Sequence, residues 1–363
     1  VTYSPFEPKS MHAAFGIEWK SASDYMVSAN GQNNIDFSSG IYCAGLGHDF
    51  LNHKLMDYLE EYPALTHSWQ FPTEIRTKFL KKLVSFFPRY LNRVALFCEG
   101  SMANEKAIQL AEAFTARQFC LRNPASFHGN THLLRNLPHE INGVPAAVIL
   151  EPYIGFAAEF HEKDSFSNYV KGLQESGIVV IMDEIQAGFG RTGRMFGYMW
   201  YDVKPDLVSF GKGVANGMPL SGVIGRKDIM ECLDGREYIC NTHSGNPVCC
   251  AAGLATLEEL QKLDLPVIRK SGRTISKRCN EITERYDCVS GSAGRGYVHA
   301  IHFTDEDSCK HVTRSCLKHG LMLVNNISRS TLKICPPLIT PLNVVMDGLD
   351  IIEEVLKSEN KRN

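Results

Sequence analysis

Continuous apolar runs, each closed by a polar group and followed by a helical stretch, recur along the middle of the chain. Arg93–Phe97 (RVALF), Ala146–Leu150 (AAVIL), Ile178–Met182 (IVVIM) and Leu207–Phe210 (LVSF) are four of them. A strand covered on both faces reads this way because neither face needs polar residues, so the runs predict a mainly parallel sheet flanked by helices. Upstream, residues 25–37 (YMVSANGQNNIDF) predict a hairpin with Asn30-Gly31 as its turn. After Pro247 the texture changes. Helical patterns over 249–263 and 265–285 lead to a strand at 297–303, and a further helix over 306–319 ends at Gly320. Two short strands are expected to flank Pro336-Pro337, with an amphipathic helix from about Leu342 to the C-terminus.

This order predicts an α/β protein with a large domain built on the parallel sheet and a smaller α+β terminal domain. The expected divisions are 1–44 as an N-terminal segment packing with the small domain, 45–255 as the large domain and 256–363 as the small one. The boundary is soft within 245–265. No internal repeat or charge block interrupts the order.

At 363 residues with 44% hydrophobic and 21% charged positions, the composition is that of a folded globular chain and excludes disorder and collagen-like repeats. Lys+Arg 38 against Asp+Glu 40 leaves a charge of -2, which points to neither nucleic acid nor an anionic membrane as a partner. No apolar run approaches the roughly 18–20 residues that span a bilayer, so a soluble protein is expected. The chain starts at Val1 rather than Met and reads as a fragment or a processed form, so signal-peptide logic does not apply. Twelve cysteines contain no C-x-x-C, and Cys98, Cys249, Cys250 and Cys335 lie in or beside apolar stretches. Buried free thiols in a reducing, cytoplasmic compartment are expected.

In open α/β sheets, ligands bind beyond the carboxyl ends of the strands. The four runs end in Cys98-Glu99-Gly100-Ser101, Glu151-Pro152, Asp183-Glu184 and Gly211-Lys212. Gly100-Ser101 opens a helix with Ala103, Ala107, Ile108 and Ala111 on one face. Taken alone it is a simple cap with Ser101 as N-cap, but a helix start also holds phosphate. Most lysines are solvated surface groups, yet Lys212 stands between two glycines directly after a strand, a setting for a reactive amine that forms a Schiff base. Asp183 either caps the next turn or faces a cation from the sheet rim. A phosphate cradle, a Schiff-base lysine and a carboxylate for a pyridinium nitrogen are what pyridoxal phosphate needs.

Two other motifs lead elsewhere and fail. Gly188-Phe-Gly-Arg-Thr-Gly193 matches G-x-G-x-x-G, with Asp206 downstream. Five residues (Asp183 to Ala187) separate it from its strand, and Arg194–Pro205 is a poor helix opener, against dinucleotide binding. His128 and His132 lack the helical glutamate of H-E-x-x-H, and no metal is expected.

The sequence resembles the class-III, fold-type-I pyridoxal phosphate-dependent aminotransferases from about residue 30 to 340. The segments are Ile35-Asp-Phe-Ser-Ser-Gly-Ile41 with Leu46-Gly-His48, Gly100-Ser-Met-Ala-Asn-Glu105, Phe127-His-Gly129 and Glu151-Pro152. Asp183-Glu-Ile-Gln-Ala-Gly-Phe-Gly-Arg-Thr-Gly193, Pro205-Asp-Leu-Val-Ser-Phe-Gly-Lys212, Thr242-His-Ser-Gly-Asn-Pro247 and Pro336-Pro-Leu338 complete them. The resemblance implies that Lys212 carries the cofactor and shuttles the substrate proton, while Asp183 pairs with the pyridine nitrogen. Gln186 is implied at the phenolic oxygen, Phe127 on the ring face, and Gly100 and Ser101 at the phosphate. It also implies a homodimer with shared sites, in which Thr242 reaches the neighbouring subunit's phosphate, and Tyr42, Phe156 and Lys333 as substrate contacts.

The sequence departs from the family in three places. Only about two dozen residues join Gly129 to Glu151, where relatives usually carry a longer segment. Phe156 replaces the glutamate that several ω-amino acid aminotransferases place after Glu-Pro-x-x-Gly, and Lys333 replaces the usual carboxylate-binding arginine, with Arg329 nearby as an alternative. Cofactor chemistry is expected intact and substrate recognition changed. Three functions stay open: transfer of an amino group from an amine to a keto or aldehyde acceptor, isomerisation (aminomutase, racemase or epimerase) on the same scaffold, and a catalytically silent cofactor-binding protein. Retention of Lys212, Asp183 and Gln186 together argues against the third.

Overall fold

The computed structural model describes residues 19–29, 31–61, 69–325 and 330–360. The chain divides into two compact units, one Leu51–Leu265 and the other Val1–Phe50 with Pro266–Asn363. Strands β1 (Trp19–Ser23), β2 (Met26–Ala29) and β3 (Gln32–Asp36) open the described chain, followed by the single turn α1 (Ser39–Tyr42). β2 and β3 form the expected hairpin, Ala29 opposite Gln32, with Gly31 at φ 76°. Asn30, the other turn residue, lies outside the described residues.

The 51–265 unit runs through α2 (Phe50–Glu61), α3 (Glu74–Val84), β4 (Arg93–Phe97), α4 (Gly100–Thr115), β5 (Cys120–Arg122) and α5 (His132–Arg135). It continues with β6 (Ala147–Leu150), the short pair β7 (Tyr153–Ile154) and β8 (Glu159–Phe160), α6 (Lys163–Glu175), β9 (Val179–Asp183) and β10 (Leu207–Phe210). β11 (Ser221–Gly225), α7 (Lys227–Met230) and α8 (Pro247–Leu260) complete it. Its six-stranded sheet has the order β4-β11-β10-β9-β6-β5. β5, β6, β9 and β10 are parallel, and β11 runs antiparallel to both of its neighbours. Two reversals leave β4 pointing the same way as β10, so the carboxyl ends of all four predicted strands share one rim.

The apolar face of α4 explains why this sheet is covered. Ala103, Ala107, Ile108 and Ala111 are buried in one core with Phe97, Ile149, Ile181 and Val223. Each large aliphatic side chain so buried contributes about 1.5–3 kcal/mol. β11 (SGVIG) carries no strand signature because two of its five residues are glycine. Tertiary contact demands them: a Cβ at Gly222 would lie 2.5 Å from both the Ala95 carbonyl oxygen and the Phe210 ring.

The other unit continues with α9 (Leu265–Thr283), β12 (Val289–Arg295), β13 (Val298–Phe303), α10 (Glu306–Lys318), β14 (Leu321–Met322), β15 (Val324–Asn325), β16 (Thr331–Ile334) and α11 (Leu342–Asn360). It holds two four-stranded sheets, β1-β2-β3-β14 and β12-β13-β16-β15. Gly320 sits at φ 86° just past the end of α10, as its sequence position predicted. The expected strand after Pro336-Pro337 does not form. Prolines have no N–H for a ladder. Here Thr340 N donates back to the Pro337 carbonyl at 3.1 Å, turning the chain into α11.

Candidate active site

Asp183 closes β9 opposite Ser209 of β10 and is only 5% exposed. Its Oδ2 accepts from Asn104 Nδ2 and from His128 Nδ1, each at 2.8 Å, and its Oδ1 accepts from Ile185 N at 3.1 Å. Asn104 is the one polar residue buried along the apolar face of α4. Its amide also donates to the His128 carbonyl at 2.7 Å, so helix and loop grip the same carboxylate. His128 is buried, and its Nε2 meets no partner among the described residues. His128 holds Asp183. Among the described residues no group of three or more His, Cys, Asp and Glu could hold a metal.

Lys212 follows Gly211 directly beyond β10, at φ 39°, in a short 3₁₀ turn over Lys212–Val214. A left-handed conformation in a residue with a Cβ is strained and tends to mark a functional position. α4 begins at Gly100, and Glu99, its N-cap residue, makes no side-chain cap. Ser101 is thus inside the first turn rather than the N-cap. Ile185 packs where a Gly100 side chain would go, at 2.7 Å from its Cβ position, and also lies 3.6 Å from that of Gly211. One isoleucine therefore joins the helix start, the end of β9 and the lysine turn.

Phe127 is 40% exposed and meets Phe156 edge to face, ring centroids 5.6 Å apart. The Phe127 amide donates to Glu151 Oε2 at 3.1 Å, and Gly155 N donates to the same oxygen at 3.3 Å. Burial pushes the Glu151 carboxyl up, while His128 and these two amides oppose the rise. Gln186 lies beside Glu151: a Cβ on Gly155 would fall 2.3 Å from Glu151 Oε1 and 3.0 Å from Gln186 Oε1, which also accepts from the Tyr153 hydroxyl at 3.2 Å.

Glu184, fully buried, takes the Gly197 and Tyr198 amides at 2.7 and 2.6 Å. Desolvation raises its carboxyl to about 8 against the pull of those amides. It anchors the 3₁₀ turn Gly197–Trp200, and the preceding Gly188–Gly193 stretch, although it matches G-x-G-x-x-G, opens no α-helix.

Thr242 is exposed. Its loop is closer to the rim than chain order implied, because Cys98, just past β4, donates through Sγ to the His243 carbonyl at 3.7 Å. Tyr42 and Lys333 belong to the other unit. Tyr42 ends α1, its side chain lying outside the described residues; Lys333 sits in β16, 2% exposed, opposite Ala300 and Val324. Arg329 also lies outside the described residues.

The model of the family Aminotransferase class-III matches residues 8–140 and 132–356. This chain belongs to the class-III aminotransferases. The two matched stretches meet at the shortened connection before Glu151. An alanine/serine racemase of Pyrococcus horikoshii is 29% identical, over 92% of this chain and 84% of its own. An acetylornithine aminotransferase of Haemophilus ducreyi is 28% identical, over 90% of each chain. A transaminase structure from the marine bacterium Virgibacillus superposes with a TM-score of 0.88 at 20% identity, covering 99% of this chain and 97% of that one. The fold is the fold-type-I transferase fold, and the class-III enzymes use pyridoxal phosphate. Of the residues around Asp183, the class-III motifs had contained Asn104 and His128, but nothing in their spacing said that both would reach one carboxylate.

Proposed function

We propose that this chain moves an amino group between an amine donor and a keto or aldehyde acceptor. Lys212 holds the cofactor through its ε-amine and moves the proton at the substrate carbon. One observation carries the reading: a strained, glycine-flanked lysine leaves the rim on which a tethered buried carboxylate and an uncapped helix start also end. Pyridoxal phosphate fits these residues. Asp183 accepts three N–H donors, and a carboxylate has about four lone-pair sites, so Oδ1 keeps room for a protonated ring nitrogen. The amides of the uncapped first turn of α4 suit a phosphate, with Gly100 and Ser101 as its seat. The half-exposed Phe127 suits a ring face, and Gln186 the phenolic oxygen.

When bound, the cofactor supplies the electron sink this chemistry needs. The chain's own part is to keep the ring nitrogen charged through Asp183, hold the ring against Phe127 and move the proton with Lys212. Substrates are small amines and carbonyl compounds. By the resemblance, Phe156 replaces the glutamate of several ω-amino acid aminotransferases and Lys333 the usual arginine; we infer that the preferred substrate is not an ordinary ω-amino acid and that a carboxylate is held loosely, by a point charge rather than a guanidinium fork. The cytoplasmic setting rests on twelve free cysteines.

Isomerisation is the second reading, supported by the likeness to an alanine/serine racemase. Stoichiometric keto product from an amino donor separates the two, since inversion yields none. The assignment of Lys212 is tested by borohydride reduction of the loaded protein and peptide mapping. The label is expected on Lys212, and Lys212→Ala is expected to abolish transfer; a label on another lysine overturns the assignment.

A further inference from the structure

We propose that Gly129 and Asn130 are positioning residues for the cofactor's phosphate, acting through Ser101; this rests on the pyridoxal phosphate reading above. Neither residue need touch the phosphate. A serine hydroxyl has one proton to give and two lone pairs. What its oxygen accepts therefore decides where its proton can point. Asn130 N donates to Ser101 Oγ at 3.4 Å, a long bond but one that engages the oxygen from the loop side. The hydroxyl proton is left for an acceptor beyond the helix start, where the uncapped amides of α4 end.

Only glycine lets the loop come this close. A Cβ at Gly129 would lie 2.4 Å from Ser101 Oγ, 2.8 Å from Ser101 Cβ and 2.7 Å from Leu134 Cδ1, and the residue stands at φ 136°. The approach is fixed from both sides. Asn104 of α4 donates to the His128 carbonyl at 2.7 Å, one residue before Gly129. After it, Arg135 Nη2 donates to Asn130 Oδ1 at 3.1 Å, and Leu134 is buried beneath. Three consecutive residues, His128 to Asn130, are thus laid along the first turns of α4. The shortened connection that follows Phe127 supplies this lock through α5 and Arg135.

The test compares dissociation constants of the apo-protein for pyridoxal phosphate and for pyridoxal, which lacks the phosphate, by quenching of protein fluorescence. Gly129→Ala is expected to weaken pyridoxal phosphate by about ten- to hundredfold, the loss of a charge-assisted hydrogen bond, and to leave pyridoxal within about twofold. If Gly129→Ala does not fold, Asn130→Pro carries the test, because it deletes the N–H that reaches Ser101. Its selective loss is expected at about three- to tenfold, and to vanish on a Ser101→Ala background. Equal losses for the two ligands, or an Asn130→Pro effect that persists without the Ser101 hydroxyl, overturn the proposal. A parent protein that binds pyridoxal no worse than pyridoxal phosphate overturns instead the cofactor reading on which it stands.

Discussion

His128 donates from Nδ1 to the buried Asp183 carboxylate, one of the three donors that hold it. A hydrogen bond to a charged group is worth about 1.5–3 kcal/mol. His128→Leu is therefore expected to lower unfolding free energy by about that amount, read by urea denaturation, and to weaken cofactor binding as Asp183 loses one of its three donors. His128→Gln, which can donate from its amide, is expected to recover part of both. Equal behaviour of the two variants means the imidazole serves packing alone. Lys212 shows the same economy at the level of one backbone: its φ of 39° is tolerated because strand, glycine flanks and Ile185 over-determine the turn.

Among the elements, α11 is tied to α9 by charge. Glu353 is buried, and its Oε1 accepts from Arg285 Nη1 at 2.7 Å, while Arg278 pairs with its other oxygen and with Asp350 at 2.6 Å. Burial alone would raise this carboxyl; the two guanidiniums overcome it and hold it down at about 2. A depressed carboxylate contributes stability that is present above its unfolded value near 4.5 and is lost as pH falls through 2. The contribution is about 3 kcal/mol at neutral pH. Glu353→Gln is expected to flatten the stability profile between those two values, and an unchanged slope in denaturation curves removes this pair from the account of acid unfolding. Glu353 is the buried member of this cluster, whereas Arg285 and Asp350 are exposed, so the cost falls on the carboxylate when its partners are removed.

For the molecule as a whole, a homodimer with shared sites is the assembly we propose. Thr242 is exposed, and Phe71 and Tyr238 are 68% and 77% exposed, with Tyr238 against the Trp69 ring at 4.8 Å. An aromatic surface of this kind, beside the loop that carries Thr242, suits a second copy of the chain. Light scattering is expected to give twice the chain mass, and Tyr238→Arg to shift the protein toward monomer with loss of bound cofactor. A fully active monomer refutes the shared site. No helix among the described residues is long and apolar enough to cross a membrane.

Local chemistry made the four rim strands and the motifs at their ends readable from the sequence. A strand covered on both faces has to be continuously apolar. Gly320 was legible too, from its place just past the end of α10. Long-range contact decided the rest. β11 is a strand because it pairs with β10 and β4, not because SGVIG prefers to extend, and Phe210 and the Ala95 carbonyl leave no space for a side chain at Gly222. The second strand expected beside Pro336-Pro337 gave way to a turn because prolines cannot donate to a ladder. His128, Asn104 and Asp183 are far apart in sequence, and Gly129 meets Ser101 only after α4 and the loop have packed together. Spacing names the residue types that a chemistry needs, but which of them share a proton is set by packing between distant segments, and no local pattern encodes that.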